Sequence, residues 1–205
     1  MSQENRKNQR AAANVKSLTG ISILCAIVVV LTILCTFIRF GPFSITLALA
    51  PIIIGAALYG KKAGAILGFV FGLVVLITGL LSLDGGAVML LFSQNALATV
   101  ALCLVKGTMA GLLAGAVYGS LAKKSLRSAV LAAGIVCPVV NTGLFLAGML
   151  LFFFSTLSTW ANGTNLLNYM LVGLTGVNFL IELAVNLLLS TMIVRIIQIE
   201  KKGNT

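Results

Sequence analysis

Histidine is absent from the 205 residues, and only four carboxylates stand against 14 lysines and arginines. Without imidazole the chain has neither the usual general base near neutral pH nor a histidine metal ligand. Two of the carboxylates, Glu4 and Glu200, lie near the termini, and no pair of acids is placed to hold a metal. Four cysteines, Cys25, Cys35, Cys103 and Cys137, all fall inside apolar runs without CxxC spacing, so they imply neither disulfides nor zinc and read as small packing residues. No GxSxG motif is present to carry a serine nucleophile. A lysine base at Lys106 beside Glu182 would lack both an oxyanion site and a second motif. The chain therefore reads as a protein that is not an enzyme and carries no cofactor.

Charge as a whole is scarce. Only 9% of residues are charged and 60% are hydrophobic, whereas soluble domains carry roughly a quarter charged residues. Lipid must be the solvent. A hydrocarbon core of about 30 Å takes roughly 20 apolar residues per helix, so a chain of this length with short loops accommodates about six spans. The expected fold is an all-α membrane protein, a bundle of six transmembrane helices in one domain.

The formal net charge of +10 would suit nucleic acid only if it formed a patch on a folded surface. Instead the basic residues punctuate the apolar runs. Arg6, Lys7, Arg10 and Lys16 precede the first, Lys61 and Lys62 follow the second, Lys123, Lys124 and Arg127 follow the fourth, and Lys201 and Lys202 follow the last. The intervening gaps hold Arg39, then Asp84, then an uncharged stretch from Ser155 to Tyr169. By the positive-inside rule the basic gaps are cytoplasmic, which puts both termini inside. The partner implied by the charge is a bilayer and not a nucleic acid.

Six spans are expected over residues 17–40, 45–59, 63–81, 96–122, 129–154 and 171–198, between cytoplasmic tails 1–16 and 199–205. The first apolar run is longer than a signal-peptide core and lacks a clear cleavage site, so it reads as a retained helix. Gly41-Pro42 ends it. The second span is short and carries Pro51, which suits a tilted or partly re-entrant segment. Asp84-Gly85-Gly86 signals an external turn, and the apolar stretch from Ala87 to Phe92 is a candidate to dip back into the membrane. The loop between the fifth and sixth spans holds Trp160, Asn162, Asn165, Asn168 and Tyr169, polar enough to meet water or a ligand.

Two glycine ladders stand out, Gly60, Gly64, Gly68 and Gly72 on the third span and Gly107, Gly111, Gly115 and Gly119 on the fourth. Spacing of four keeps each row on one face, where another backbone can approach closely. Tight internal packing and a smooth face for a partner protein are both compatible with that pattern.

Three polar residues sit where lipid would penalise them. Lys106 and Glu182 lie about 15 and 16 Å in from the external side, and Asn141 about 18 Å in from the cytoplasmic side, at a helical rise of about 1.5 Å per residue. All three fall near the midplane. Asn178 and Asn186 flank Glu182 by one turn each, which makes a polar stripe along one face. An ionisable group at that depth must face the bundle and find a partner. Lys106 and Glu182 then either pair only to lock two helices together, or form with Asn141 the floor of an outward-opening solute pocket roofed by the external loops.

The order of phrases along the chain resembles that of the substrate-binding S components of energy-coupling factor (ECF) vitamin transporters. The phrases are Gly41-Pro42-Phe43-Ser44-Ile45-Thr46, Leu49-Ala50-Pro51, Gly55, Tyr59-Gly60 and the ladder after it, then Val105-Lys106-Gly107 with Ala110-Gly111, Cys137-Pro138 with Asn141-Thr142-Gly143, and Asn178 with Glu182. The resemblance runs from about residue 17 to 198. It implies a multi-pass protein of a bacterial cell membrane that binds a vitamin-like micronutrient on its external side. It further implies a transmembrane coupling (T) subunit and two cytoplasmic ATPases as partners for ATP-driven uptake. The substrate site would draw on Lys106, Glu182, Asn141, Asn178, Asn186, Trp160 and Asn165. The coupling face would lie on spans one to three, where Ser22 and Ala26 replace the family's AxxxA pair and Gly60, Gly64, Gly68 and Gly72 offer a sliding face.

Flat aromatic vitamins invite stacking, yet few aromatics fall in the expected pocket: Trp160, Tyr169 and the neighbouring Phe145 and Phe179. A polar, largely aliphatic acid suits Lys106 for its carboxylate and the asparagines and Glu182 for hydroxyls and amides. Pantothenate fits that description. The rival from another class is a self-contained secondary transporter or channel with Lys106 and Glu182 as a proton-linked pair, although no internal repeat in corresponding halves accompanies it. A purely structural assembly subunit, binding no solute, is the third reading.

Overall fold

Short polar side chains set where several helices begin. In the computed structural model Asn95, in extended conformation, accepts from the Ala98 N–H at 3.0 Å, and Ser125 accepts from the Ser128 N–H at 3.3 Å. Asp84 accepts from the N–H groups of Gly86 and Val88, each at 3.0 Å. Each bond satisfies a backbone donor that a helix start leaves open. The structure describes residues 3–38, 44 and 46–202, with side chains for 14–38, 44, 46–176 and 178–199. The Gly41-Pro42 break, Arg39 and the phrase between them and Thr46, apart from Ser44, lie outside the described residues.

The helices are α1 Gln3–Thr36, α2 Leu49–Tyr59, α3 Lys61–Leu80, α4 Ala87–Gln94, α5 Ala96–Leu121, α6 Leu126–Phe152, α7 Phe154–Ala161 and α8 Leu166–Asn168. A π-helical turn, Tyr169–Leu174, then leads into α9, Gly176–Lys202. The described residues are helical apart from short connections. Among the described residues five stretches are long and apolar enough to cross a membrane: Asn14–Thr36 within α1, α3, α5, α6, and Asn178–Ile199 within α9.

The second apolar run differs from the other five. Its helix, α2, has 11 residues, about 16 Å at the usual rise, so it does not cross a bilayer core unaided. Pro51 lies in its first turn, where the missing N–H breaks no intrahelical bond. Residues 46–48 ahead of it are not helical. Non-helical backbone survives at membrane depth only under a cover of protein, and Ala48, Leu49, Ile52 and Ile53 are fully buried.

The glycine ladders interlock with each other. Gly64 faces the Gly111 carbonyl, Gly68 that of Gly107, and Gly72 that of Cys103, so α3 and α5 run antiparallel at backbone contact. A Cβ on any of these three glycines would collide with the facing carbonyl oxygen. The faces of Gly64, Gly68 and Gly72 are thus inside the molecule, against α5. Gly60 differs, with φ +90° and open space beside it at the α2–α3 turn. Ser22 and Ala26 are exposed on α1.

The basic segments gather at one end of the bundle. Lys61 packs on Gly115 near the end of α5, Gly20 of α1 packs against Tyr59, and Arg127 and Arg195 line one groove. Toward that end lies an apolar cluster that includes Val28, Ile52, Leu67, Phe71, Ala110, Cys137 and Ile193. Toward the other end a second cluster joins Leu91, Phe145, Met149, Phe153, Leu157, Met170 and Leu174. Along α6, Cys137 belongs to the first and Phe145 to the second, with Asn141 at the junction.

Candidate ligand pocket

Between the two clusters the helices turn polar side chains inward. Glu182 and Asn141 are each only 5% exposed, and Asn178 is also buried. With Lys106, these residues line one cavity, joined by Ser44, Thr46, Thr142, Phe145, Thr175 and Leu174. α5 supplies the lysine, α6 Asn141 and Thr142, and α9 Asn178 and Glu182. The non-helical entry to α2 supplies Ser44 and Thr46.

Each charge in this cavity is engaged by something other than the opposite charge. The Thr46 backbone N–H donates to Oε1 of Glu182 at 3.1 Å. Oε2 of the same carboxylate is buried and has no hydrogen-bond partner among the described residues, and neither has Oδ1 of Asn141. Lys106 Nζ stands 5.0 Å from the centroid of the Phe145 ring, within the range of a cation–π contact. The direct ion pair that sequence reasoning offers as a lock between helices is therefore replaced by two charges facing a shared space. Leaving a buried acceptor unpaired is unfavourable by roughly 1–3 kcal/mol, so the two open oxygens favour any occupant that brings donors.

The cavity is small, about 60 Å³, well below the roughly 300 Å³ at the lower end of small-molecule pockets. Its roof is Leu174 and Thr175, delivered by the π turn, whose exit is held by a bond from the Thr175 hydroxyl to the Met170 carbonyl at 3.0 Å. Such turns are frequent at functional positions.

Three residues expected at the site lie elsewhere. Asn186 is buried one turn further toward the basic end, beside Gly134. Trp160 packs on the outer apolar cluster above the cavity. Asn165 is exposed and caps α8, accepting from the N–H groups of Leu167 and Asn168. Thr46, Thr142 and Thr175 are lining residues outside the expected site, the first two having entered the sequence reading only as parts of family phrases. A threonine in an apolar run usually bonds its own backbone, as Thr32, Thr78 and Thr108 do here, and so marks nothing.

An apolar helical bundle whose polar side chains converge on a half-open cavity of donors and acceptors fits a membrane transport protein. The sequence profile described as ECF transporter, substrate-specific component, matches residues 16–194, and the chain belongs to that family. It is similar to the pantothenic acid transporter PanT of Lactococcus lactis subsp. cremoris (strain MG1363). The two are 29% identical over 184 residues, which cover 85% of this chain and 89% of that protein.

Proposed function

We propose that the cavity between α5, α6 and α9 is the substrate site of this S component and that its substrate is pantothenate. The observation that carries the reading is the pair of opposite charges that face one cavity without bonding each other. Lys106 offers an ammonium to a carboxylate, while Glu182 Oε2 and Asn141 Oδ1 offer acceptors to hydroxyl or amide donors. Pantothenate carries one carboxylate, one amide and two hydroxyls on an aliphatic frame. The name of the similar Lactococcus protein points to the same compound.

The chain would sit in the bacterial cell membrane with six crossings, α2 and the non-helical residues before it making the second. The gathering of basic segments at one end favours both termini in the cytoplasm. Uptake would then be driven by a T subunit and two ATPases, since this chain carries no nucleotide motif. Ser22 and Ala26, exposed on α1, and Gly60 at the α2–α3 turn remain candidates for the coupling face.

The test is to purify the chain alone, identify co-purifying small molecules by mass spectrometry and titrate pantothenate by calorimetry. Saturable binding at one site is expected. No binding, or binding unchanged by both Lys106→Met and Glu182→Gln, would remove the proposal. Pantothenate flux through the isolated chain in vesicles would favour a self-contained transporter instead.

A further inference from the structure

At the basic end of the bundle, between the start of α6 and the last turns of α9, lies a groove of about 460 Å³. Arg127 reaches it from α6 and Arg195 from α9, with Ser190 and Gln198 beside them. Leu131 and Val194 make its apolar wall, and among the described residues none that lines it is acidic. Two guanidinium groups on one open groove repel each other unless an anion lies between them. Each presents a planar fork of donors that matches phosphate oxygens better than a point charge does.

The groove continues into surface that only hydrocarbon suits. One turn outward from Leu131, Ile135 is exposed on α6, and on α9 Leu188 is 75% exposed a turn outward from the groove. An occupant that satisfies both parts has an anionic head and apolar chains. We propose that this groove holds the phosphate headgroup of an anionic phospholipid of the cytoplasmic leaflet, its acyl chains lying along α6 and α9. The leaflet rests on the orientation read from the basic segments. Basic pockets between spans on the cytoplasmic side are a recognised way of holding such heads.

The test is native mass spectrometry of the full chain, released from micelles supplied with equal phosphatidylglycerol and phosphatidylcholine. Wild type is expected to retain phosphatidylglycerol selectively. Retention should fall about fivefold for Arg127→Gln or Arg195→Gln and about thirtyfold for both together. Arg127→Lys with Arg195→Lys should keep selectivity for the anionic lipid. Equal retention of the two lipids by wild type, or full retention of phosphatidylglycerol by the double glutamine variant, would overturn the proposal. So would displacement by sn-glycerol 3-phosphate, which would make the occupant a soluble phosphate compound. Should the double glutamine variant fail to fold, the wild-type lipid ratio and the lysine pair decide the matter between them.

Discussion

The backbone N–H of Thr46 donates to Oε1 of Glu182 across 3.1 Å, tying the entry of α2 to the middle of α9. The bond uses one carboxylate oxygen and leaves Oε2 open to the cavity. Glu182→Gln has one oxygen, so it either keeps Thr46 bonded and turns an amide donor into the cavity, or keeps an acceptor in the cavity and gives up the bond from Thr46. The expected result is a loss of pantothenate affinity of about tenfold to a hundredfold, the usual range for a hydrogen bond to a charged group. Calorimetry of the purified variant measures it, and unchanged affinity would mean that Glu182 serves only to hold Thr46.

Lys106 should act on one part of the ligand, the carboxylate. Its ammonium rests over Phe145 at 5.0 Å and has no competing acid bonded to it among the described residues. Wild type should therefore bind pantothenate more tightly than the analogue whose carboxylate is a primary alcohol, by about tenfold or more. In Lys106→Met the two compounds should bind alike. A variant that loses affinity yet still prefers the acid would assign the carboxylate to another group.

The legibility of this site followed residue type. Lys106, Asn141, Asn178 and Glu182 stood out because a polar side chain in an apolar run must find a reason to be there, and the structure brings these four to one cavity. Thr46 and Thr142 surfaced only inside family phrases and Thr175 not at all, because a threonine hydroxyl can bond its own helix and leave no trace in the pattern. The second helix was legible in part: its short run and Pro51 pointed to a tilted or partly re-entrant segment, but not to where the helix begins. Residues 47–58 hold no polar side chain, and an apolar run does not say where helix gives way to covered, non-helical backbone. The glycine ladders declared close packing but not their partner, since spacing defines a face and not what meets it.

That partner is now α5, which gives the third prediction. Gly68→Ala would drive its Cβ into the Gly107 carbonyl and force α3 and α5 apart. A loss of about 1–3 kcal/mol is expected, as for other overpacked interiors. Gly119→Ala, on the same helix as Gly107 but facing open space, should be neutral or slightly stabilising, because alanine is the better helix former. Thermal unfolding of the two purified variants provides the comparison. Equal melting temperatures would mean that the two backbones can separate at little cost.

Ligand entry should move the roof of the cavity, and the chain carries its own reporter of that motion. A space of about 60 Å³ holds a few waters but no vitamin, so the lining has to shift for a ligand to fit, and Leu174 with Thr175 is the part expected to move. Leu174 belongs to the outer apolar cluster on which Trp160 packs, and Trp160 is the single tryptophan of the sequence. Displacing Leu174 changes the surroundings of that indole. Intrinsic fluorescence of the unmodified protein should therefore change on titration with pantothenate and saturate at the same concentration as the calorimetric signal. Binding seen by calorimetry with no change in Trp160 emission would mean that the cavity expands on its other side, by withdrawal of Ser44 and Thr46. In that case Glu182 Oε1 gives up its bond to Thr46 as ligand enters, and the Thr46 amide should exchange with solvent deuterium faster in the bound state than in the free one.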